Sequence, residues 1–204
     1  MGDGFAPELR DVTGGRRFSQ AISEGDGISV IVEVDGPDAA RRAEGEGAEA
    51  VLVRSGLEGR LDQIRTATSL PILVRYDGEQ TGLLASADAC ILEAGSGDLE
   101  RTRRALADDL ELVFRIEHEE HLEEALEQFD PELFVLASAG DSDATGLDRV
   151  LDLLPDVPAG KLAIAELAVA TRRDVDELER AGVDAVIVGA GNVAELVGGA
   201  PPEV

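Results

Sequence analysis

The feature that most constrains this chain is a regular alternation of two patterns. Short runs rich in Val, Ile and Leu recur at near-constant spacing, and most are separated by amphipathic helical stretches. Strands are expected at 28–34, 48–54, 70–75, 89–93, 111–116 and 133–137, and two more lie within 161–192. Helices are expected at 38–46, 57–67, 98–107, 119–129 and 147–154, with a short one at 79–86. A further helix opens at Thr171 and stops at Gly182. Strands that alternate with helices in this way pair in parallel, which leaves a doubly wound open sheet or a closed barrel. A count of eight favours the barrel. No G-x-G-x-x-G follows the first strand, which weakens a dinucleotide-binding reading. The expected layout is a loosely ordered N-terminal extension over 1–17, a single (βα)8 barrel over 18–197 and a C-terminal tail over 198–204. At 204 residues the chain is short for a fold that usually takes about 250, so its loops must be trimmed.

Composition narrows the function classes. The aromatic fraction is 3% and Trp is absent, so the core must be built from aliphatic residues, as parallel sheets under covering helices usually are. A formal net charge of -25 excludes a basic face for nucleic acid or anionic membrane. The acids are spread over nearly every expected helix, giving a solvated surface that repels itself at low salt, as in a high-salt cytoplasm or a very acidic bacterial proteome. No apolar run approaches the roughly 20 residues of a membrane span, and no signal peptide is evident. A single cysteine, Cys90, sits mid-strand as expected core filler, and a reducing cytoplasm is the expected location. Nothing in the sequence asks for a cofactor. Of 18 basic residues, 17 are Arg, and Lys161 is the one lysine.

Several stretches then resemble the indole-3-glycerol phosphate synthase family. FSQAISEGDGISVIVEV (18–34) resembles that family's entry into V-I-A-E-I-K, and GAEAVLVRS (47–55) its second strand. SLPILVRYD (69–77) resembles S-L-P-V-L-R-K-D, and LELVFRIEHEEHLEEAL (110–126) is similar to L-x-V-L-V-E-V-H-x-x-x-E-L-x-x-A-L. The C-terminal AELAVATRRDVDELERAGVDAVIVGAG resembles A-E-S-G-I-x-x-x-x-D-V-x-x-L-x-x-A-G-V-D-A-V-L-V-G-x-S. The resemblance runs from about residue 18 to 197. It implies a barrel and a carbon–carbon lyase that closes an indole ring on a phosphorylated substrate in tryptophan biosynthesis, with loss of carbon dioxide and water.

Carried over position by position, the family's catalytic set is mostly replaced. Glu33 matches the first-strand glutamate, but Asp35 stands where a lysine follows it. Arg75 stands for the third-strand lysine that serves as general acid, and Arg115 for the fifth-strand glutamate that serves as general base. Ala137, beside Ser138, replaces the sixth-strand asparagine. Glu166 is retained on the seventh strand, with Leu167 for the next serine, and Ala190 or Gly191 falls on the eighth-strand serine. Arginine stays protonated to a pKa above about 12, so it stabilises charge but donates a proton poorly. Lys161 precedes the seventh strand and so belongs to the opposite, stability end of a barrel. Standard ring-closing chemistry is therefore not expected.

Strand parity indicates what replaces it. Ile31, Glu33 and Asp35 share a face, as do Leu73 with Arg75, Val113 with Arg115 and Ile164 with Glu166. By the resemblance these faces look into the mouth, with Arg54 at its edge. One reading is an anion pocket, in which forked arginines take a carboxylate or phosphate and Glu33 or Glu166 orients it or accepts a proton. The other is a closed network of acids and arginines plugging the mouth. The turn Gly189-Ala190-Gly191-Asn192 is a phosphate seat or merely a tight turn. The candidate catalytic residues are thus Glu33, Glu166, Arg75 and Arg115, and the candidate phosphate-binding residues are Gly189, Ala190, Gly191, Asn192 and Arg54. His118 and His121 have a spacing that can bind metal but lack an evident third ligand, so no metal site is expected. Tyr76-Asp77, Gly95-Ser96-Gly97 and Asp141-Ser142-Asp143 read as turn and capping residues before they read as a site. The functional expectations are a synthase-like barrel with a degenerate catalytic site, a non-catalytic binding or regulatory homologue, or a lyase with a rearranged site. Expected partners are a small phosphorylated or carboxylated metabolite or a protein.

Overall fold

The computed structural model describes residues 16–25, 27–76, 81–96, 99–106, 108–138, 143–169, 171–191 and 193–197. Eight parallel strands close on themselves in sequence order, β1 (Ser29–Val34), β2 (Ala50–Val53), β3 (Ile72–Arg75), β4 (Ala89–Glu93), β5 (Glu111–Ile116), β6 (Leu133–Ala137), β7 (Leu162–Glu166) and β8 (Ala185–Val188). Closure is made by β1 on β8, with Ser29 opposite Ala185 and Val32 opposite Val188. The chain is a single (βα)8 barrel, the architecture favoured by the count of eight strands, and not an open doubly wound sheet.

Alternation along each strand divides the apolar residues into two sets. One set fills the barrel and includes Ile31, Leu52, Leu73, Ile91, Val113, Val135, Ile164 and Ile187. The other, including Val32, Val51, Val74, Phe114, Phe134 and Val186, packs outward against the helices. Helix α1 (Arg17–Ser23) lies across the N-terminal end and sends Phe18 and Ile22 into the inner set. Its first-turn donors have no intrahelical partners, and the Glu111 carboxylate takes those of Phe18 (2.6 Å) and Ser19 (3.1 Å).

The crossovers match the expected pattern, with informative departures. Helix α2 (Pro37–Gly45) begins at Pro37, one residue before the expected start at 38; at the first helical position the missing N–H of proline costs nothing and its fixed φ is already helical. The stretch expected as one helix over 57–67 is a 3-10 turn (Glu58–Arg60) leading into α3 (Leu61–Ala67). Between β3 and β4 the described part of the crossover contains a 3-10 turn (Thr81–Ser86). Helices α4 (Leu99–Ala105) and α5 (Glu119–Phe129) follow the expected positions closely.

Helix α6 (Asp143–Leu153) starts before the expected Leu147 and passes through Gly146. Gly146 is buried there, and a Cβ would stand 3.4 Å from that of Leu167, an ordinary packing distance, so the helix runs through the glycine where it packs against the loop after β7. Helix α7 (Arg172–Ala181) has the anticipated limits: Thr171 and Asp174 form a reciprocal capping box, and Gly182 closes the helix at φ +98°. The short α8 (Val193–Val197) ends the described chain.

Candidate functional site

The C-terminal ends of the strands carry a charge cluster, built by the same parity that fills the barrel below it. Continuing inward from Leu73, Ile91, Val113 and Ile164 by two residues gives Arg75, Glu93, Arg115 and Glu166. These four form a ring of alternating charge. Arg75 Nη1 donates to one oxygen of Glu93 (3.2 Å) and Arg115 Nη1 to the other (3.0 Å). Arg75 Nη2 donates to Glu166 Oε1, and Arg115 Nε donates to Glu166 Oε2 (2.5 Å). Each carboxylate thus bridges both guanidiniums. Glu117, just past β5, adds a third acid to Arg115 Nη1 (2.5 Å).

The ring is half-sheltered: the Arg115 side chain is 15% exposed, Arg75 22% and Glu166 23%. Burial works against the Arg115 cation. The hydrogen bond and charge of Glu166, the hydrogen bond of Glu117 and the charge of Glu93 overcome it, so its pKa rises above the ordinary arginine value. A guanidinium held this way cannot act as a general acid.

Glu33 and Arg54 sit apart from the ring. Arg54 Nε pairs with Glu33 Oε1 at 3.1 Å, and Arg54 is largely exposed at the rim. Asp35 has left the strand; its main-chain oxygen accepts from Arg60 (2.8 Å) and its side chain is exposed. Of the four candidate catalytic residues, Arg75, Arg115 and Glu166 are brought into direct contact, while Glu33 is engaged separately. Glu93 and Glu117 were missed, although strand parity on β4 and β5 pointed to both.

The remaining candidates are dispersed. Gly189, Ala190 and Gly191 are exposed after β8, and Asn192 lies outside the described residues. Among the described residues nothing lies within 4 Å of a Cβ built on Gly189 or Gly191, and neither has positive φ. Neither packing nor backbone strain explains those two glycines. Lys161 is at the other end of the barrel, paired with Asp130 (2.6 Å).

His118 stands at the N-cap position of α5 without a side-chain capping bond, and its Nδ1 accepts from Arg149 Nη2 at 3.1 Å; the His121 ring packs edge-on to it. No group of three or more metal-ligating side chains occurs among the described residues. Gly95 is a tight turn at φ +79° and also carries the His121 ring, whose Nε2 would be 2.5 Å from a Cβ. Tyr76 is buried in the outer core. Asp143 is the first residue of α6, and Asp77, Gly97, Asp141 and Ser142 lie outside the described residues. The Cys90 thiol is buried within β4, and burial pushes its pKa up to about 12. No described helix is long and apolar enough to cross a membrane.

No family model matches the chain. Among curated proteins it is similar to indole-3-glycerol phosphate synthases. That of Variovorax paradoxus (strain S110) is 31% identical over 142 residues, 63% of this chain and 52% of that protein. That of Geobacillus sp. (strain WCH70) is 29% identical over 167 residues, 74% of this chain and 64% of that one. The chain therefore spans only about half to two thirds of these relatives' length. The Burkholderia ambifaria (strain MC40-6) synthase is 28% identical over 213 residues, covering 90% and 80%.

Solved structures that superpose on it include thiamine phosphate pyrophosphorylase from Pyrococcus furiosus, with TM-score 0.65, 17% identity and coverage of 83% and 90%. Phosphoenolpyruvate phosphomutase from Streptomyces platensis subsp. rosaceus superposes with TM-score 0.65, 16% identity and coverage of 85% and 80%. These structures share the barrel alone. The chain is a closed eight-stranded barrel, and its sequence is similar to that of indole-3-glycerol phosphate synthases.

Proposed function

We propose that this chain is a non-catalytic relative of indole-3-glycerol phosphate synthase, with its mouth held shut by ion pairs and an anion seat retained at the turn after β8. The observation that carries the reading is the state of Glu166: both its oxygens are held by Arg75 and Arg115, which stand where the resemblance puts the family's acid and base. Ring closure needs a group that can give up a proton and one that can receive it. Two guanidiniums supply no transferable proton near neutral pH, and the one lysine is at the wrong end of the barrel. The acids of the mouth, Glu33 included, are already engaged by arginines. A site of this kind supports binding or regulation near tryptophan biosynthesis better than turnover.

The unexplained glycines at 189 and 191 favour the retained seat, because they leave room for a ligand to approach main-chain N–H groups. The test is direct. Purified protein is given the carboxyphenylamino-deoxyribulose phosphate substrate and followed for indole fluorescence, and no turnover is expected. Steady indole production would overturn the reading in favour of a lyase with a rearranged site. In parallel, phosphate should raise the melting temperature of the wild type and not of Gly189→Val; equal responses would remove the seat.

A further inference from the structure

We infer that the arginine fork between β3 and β5 is a slot for a small monocarboxylate, and that its resident occupant is the chain's own Glu166. The inference rests on the closed-mouth reading in one respect, that the ring is intact in solution. Arg75 Nη2 and Arg115 Nε converge on one carboxylate, each guanidinium giving one charge-assisted donor to one oxygen, an arrangement that would hold an external carboxylate in the same way.

Glu166 does not itself hold the fork together. The two guanidiniums are anchored on β3 and β5, and Glu93 bridges their other nitrogens from β4. Glu117 holds Arg115 as well. Removing the Glu166 carboxylate would therefore leave two aligned donors facing a gap in a half-sheltered site, a costly state that a matching ligand relieves.

Charge selects the ligand class. Two guanidiniums face Glu93, Glu117 and Glu166, a balance of one negative charge. Without Glu166 the set is neutral, and one monocarboxylate restores the native balance, whereas a phosphate dianion overshoots it. Size selects the probe. Glu166→Ala deletes two carbons and a carboxylate's two oxygens, and acetate supplies the same atoms.

The experiment is a thermal-shift titration of Glu166→Ala with sodium acetate against sodium chloride at equal ionic strength. Acetate should raise the melting temperature saturably, by roughly 3 °C at ten times its Kd. Wild type and Glu166→Gln, whose own side chains fill the slot, should respond to acetate no more than to chloride. Glu166→Ala combined with Arg75→Leu should lose the response, and phosphate should act more weakly than acetate. The same acetate response in wild type and Glu166→Ala, or one that survives loss of Arg75, overturns the inference. If Glu166→Ala does not stay folded in chloride, its refolding in acetate is followed by circular dichroism; refolding that is no better in acetate than in chloride also overturns it. Turnover by the wild type would sink the closed-mouth reading and leave the slot standing, while a flat acetate titration does the reverse.

Discussion

The two ends of this barrel are closed by opposite means. At the N-terminal end Phe18 and Ile22 of α1, both buried, plug the interior, and nearby charges serve the backbone. Glu111 caps α1, and Asp88 accepts from the Ile72 N–H (2.7 Å) while pairing with Arg65 and Arg17. At the C-terminal end no apolar plug is present among the described residues, and side-chain charges close on one another. An apolar plug gains from every area it removes from water, and that gain needs neither a partner charge nor a ligand. A charge ring gains little net of desolvation, yet is expensive to break on one side. The first is a fixed floor. The second can be exchanged for a ligand of the right charge.

The largest effect is expected at the floor. Phe18→Ala should cost about 3–5 kcal/mol, because a fully buried ring is lost and the inner set cannot collapse around the gap. Urea unfolding would measure it; a loss below 1 kcal/mol would mean that α1 is an ornament on the barrel and not part of its core.

The mouth should respond differently to single and paired changes. Arg115→Leu takes from Glu166 and Glu93 one of their two arginines and from Glu117 its arginine, and should cost roughly 1–3 kcal/mol after allowance for the partial exposure of the ring. Adding Glu166→Leu should recover part of that loss, since the pair is replaced by apolar volume. A double-mutant cycle reads the coupling. Additive losses would contradict a connected ring and break the contrast with the floor.

The contrast also explains what the sequence made legible. Parity is a property of the strands themselves, so it put Arg75, Arg115 and Glu166 on the faces of Leu73, Val113 and Ile164, and the resemblance turned those faces to the mouth. The same rule reaches Glu93 and Glu117. The resemblance puts no catalyst at either position, so parity is the one signal that points to them. Whether acids and arginines would bind one another or wait for an anion was not legible. That depends on side-chain reach across the barrel, which only three-dimensional closure fixes. Helix ends were missed where tertiary contact overrides local propensity, as at Gly146, which is buried against Leu167.

Asp184, just before β8, tests whether charges at the floor serve the backbone as acceptors or as charges. Its Oδ2 accepts from the Ala163 N–H at 2.8 Å, and burial raises its pKa above the ordinary aspartate value, outweighing its backbone hydrogen bonds. A carboxyl whose folded pKa is raised favours the fold most below the unfolded pKa, about 3.9, and loses that contribution as pH climbs through the folded value. At neutral pH the fold therefore carries a charged Asp184 at a cost. Asp184→Asn keeps an oxygen for Ala163 and removes the charge, so it should stabilise the protein by a few tenths of a kcal/mol at pH 7, in line with the size of most single changes. That gain should vanish below about pH 4, where both chains are neutral at this position. Removing one charge from a chain of net charge -25 would itself help, so the control is Asp156→Asn, the same charge change at an exposed position. A gain at pH 7 no larger than the control's would mean that the carboxylate is needed there as a charge, and that floor and mouth are less different than their geometry makes them.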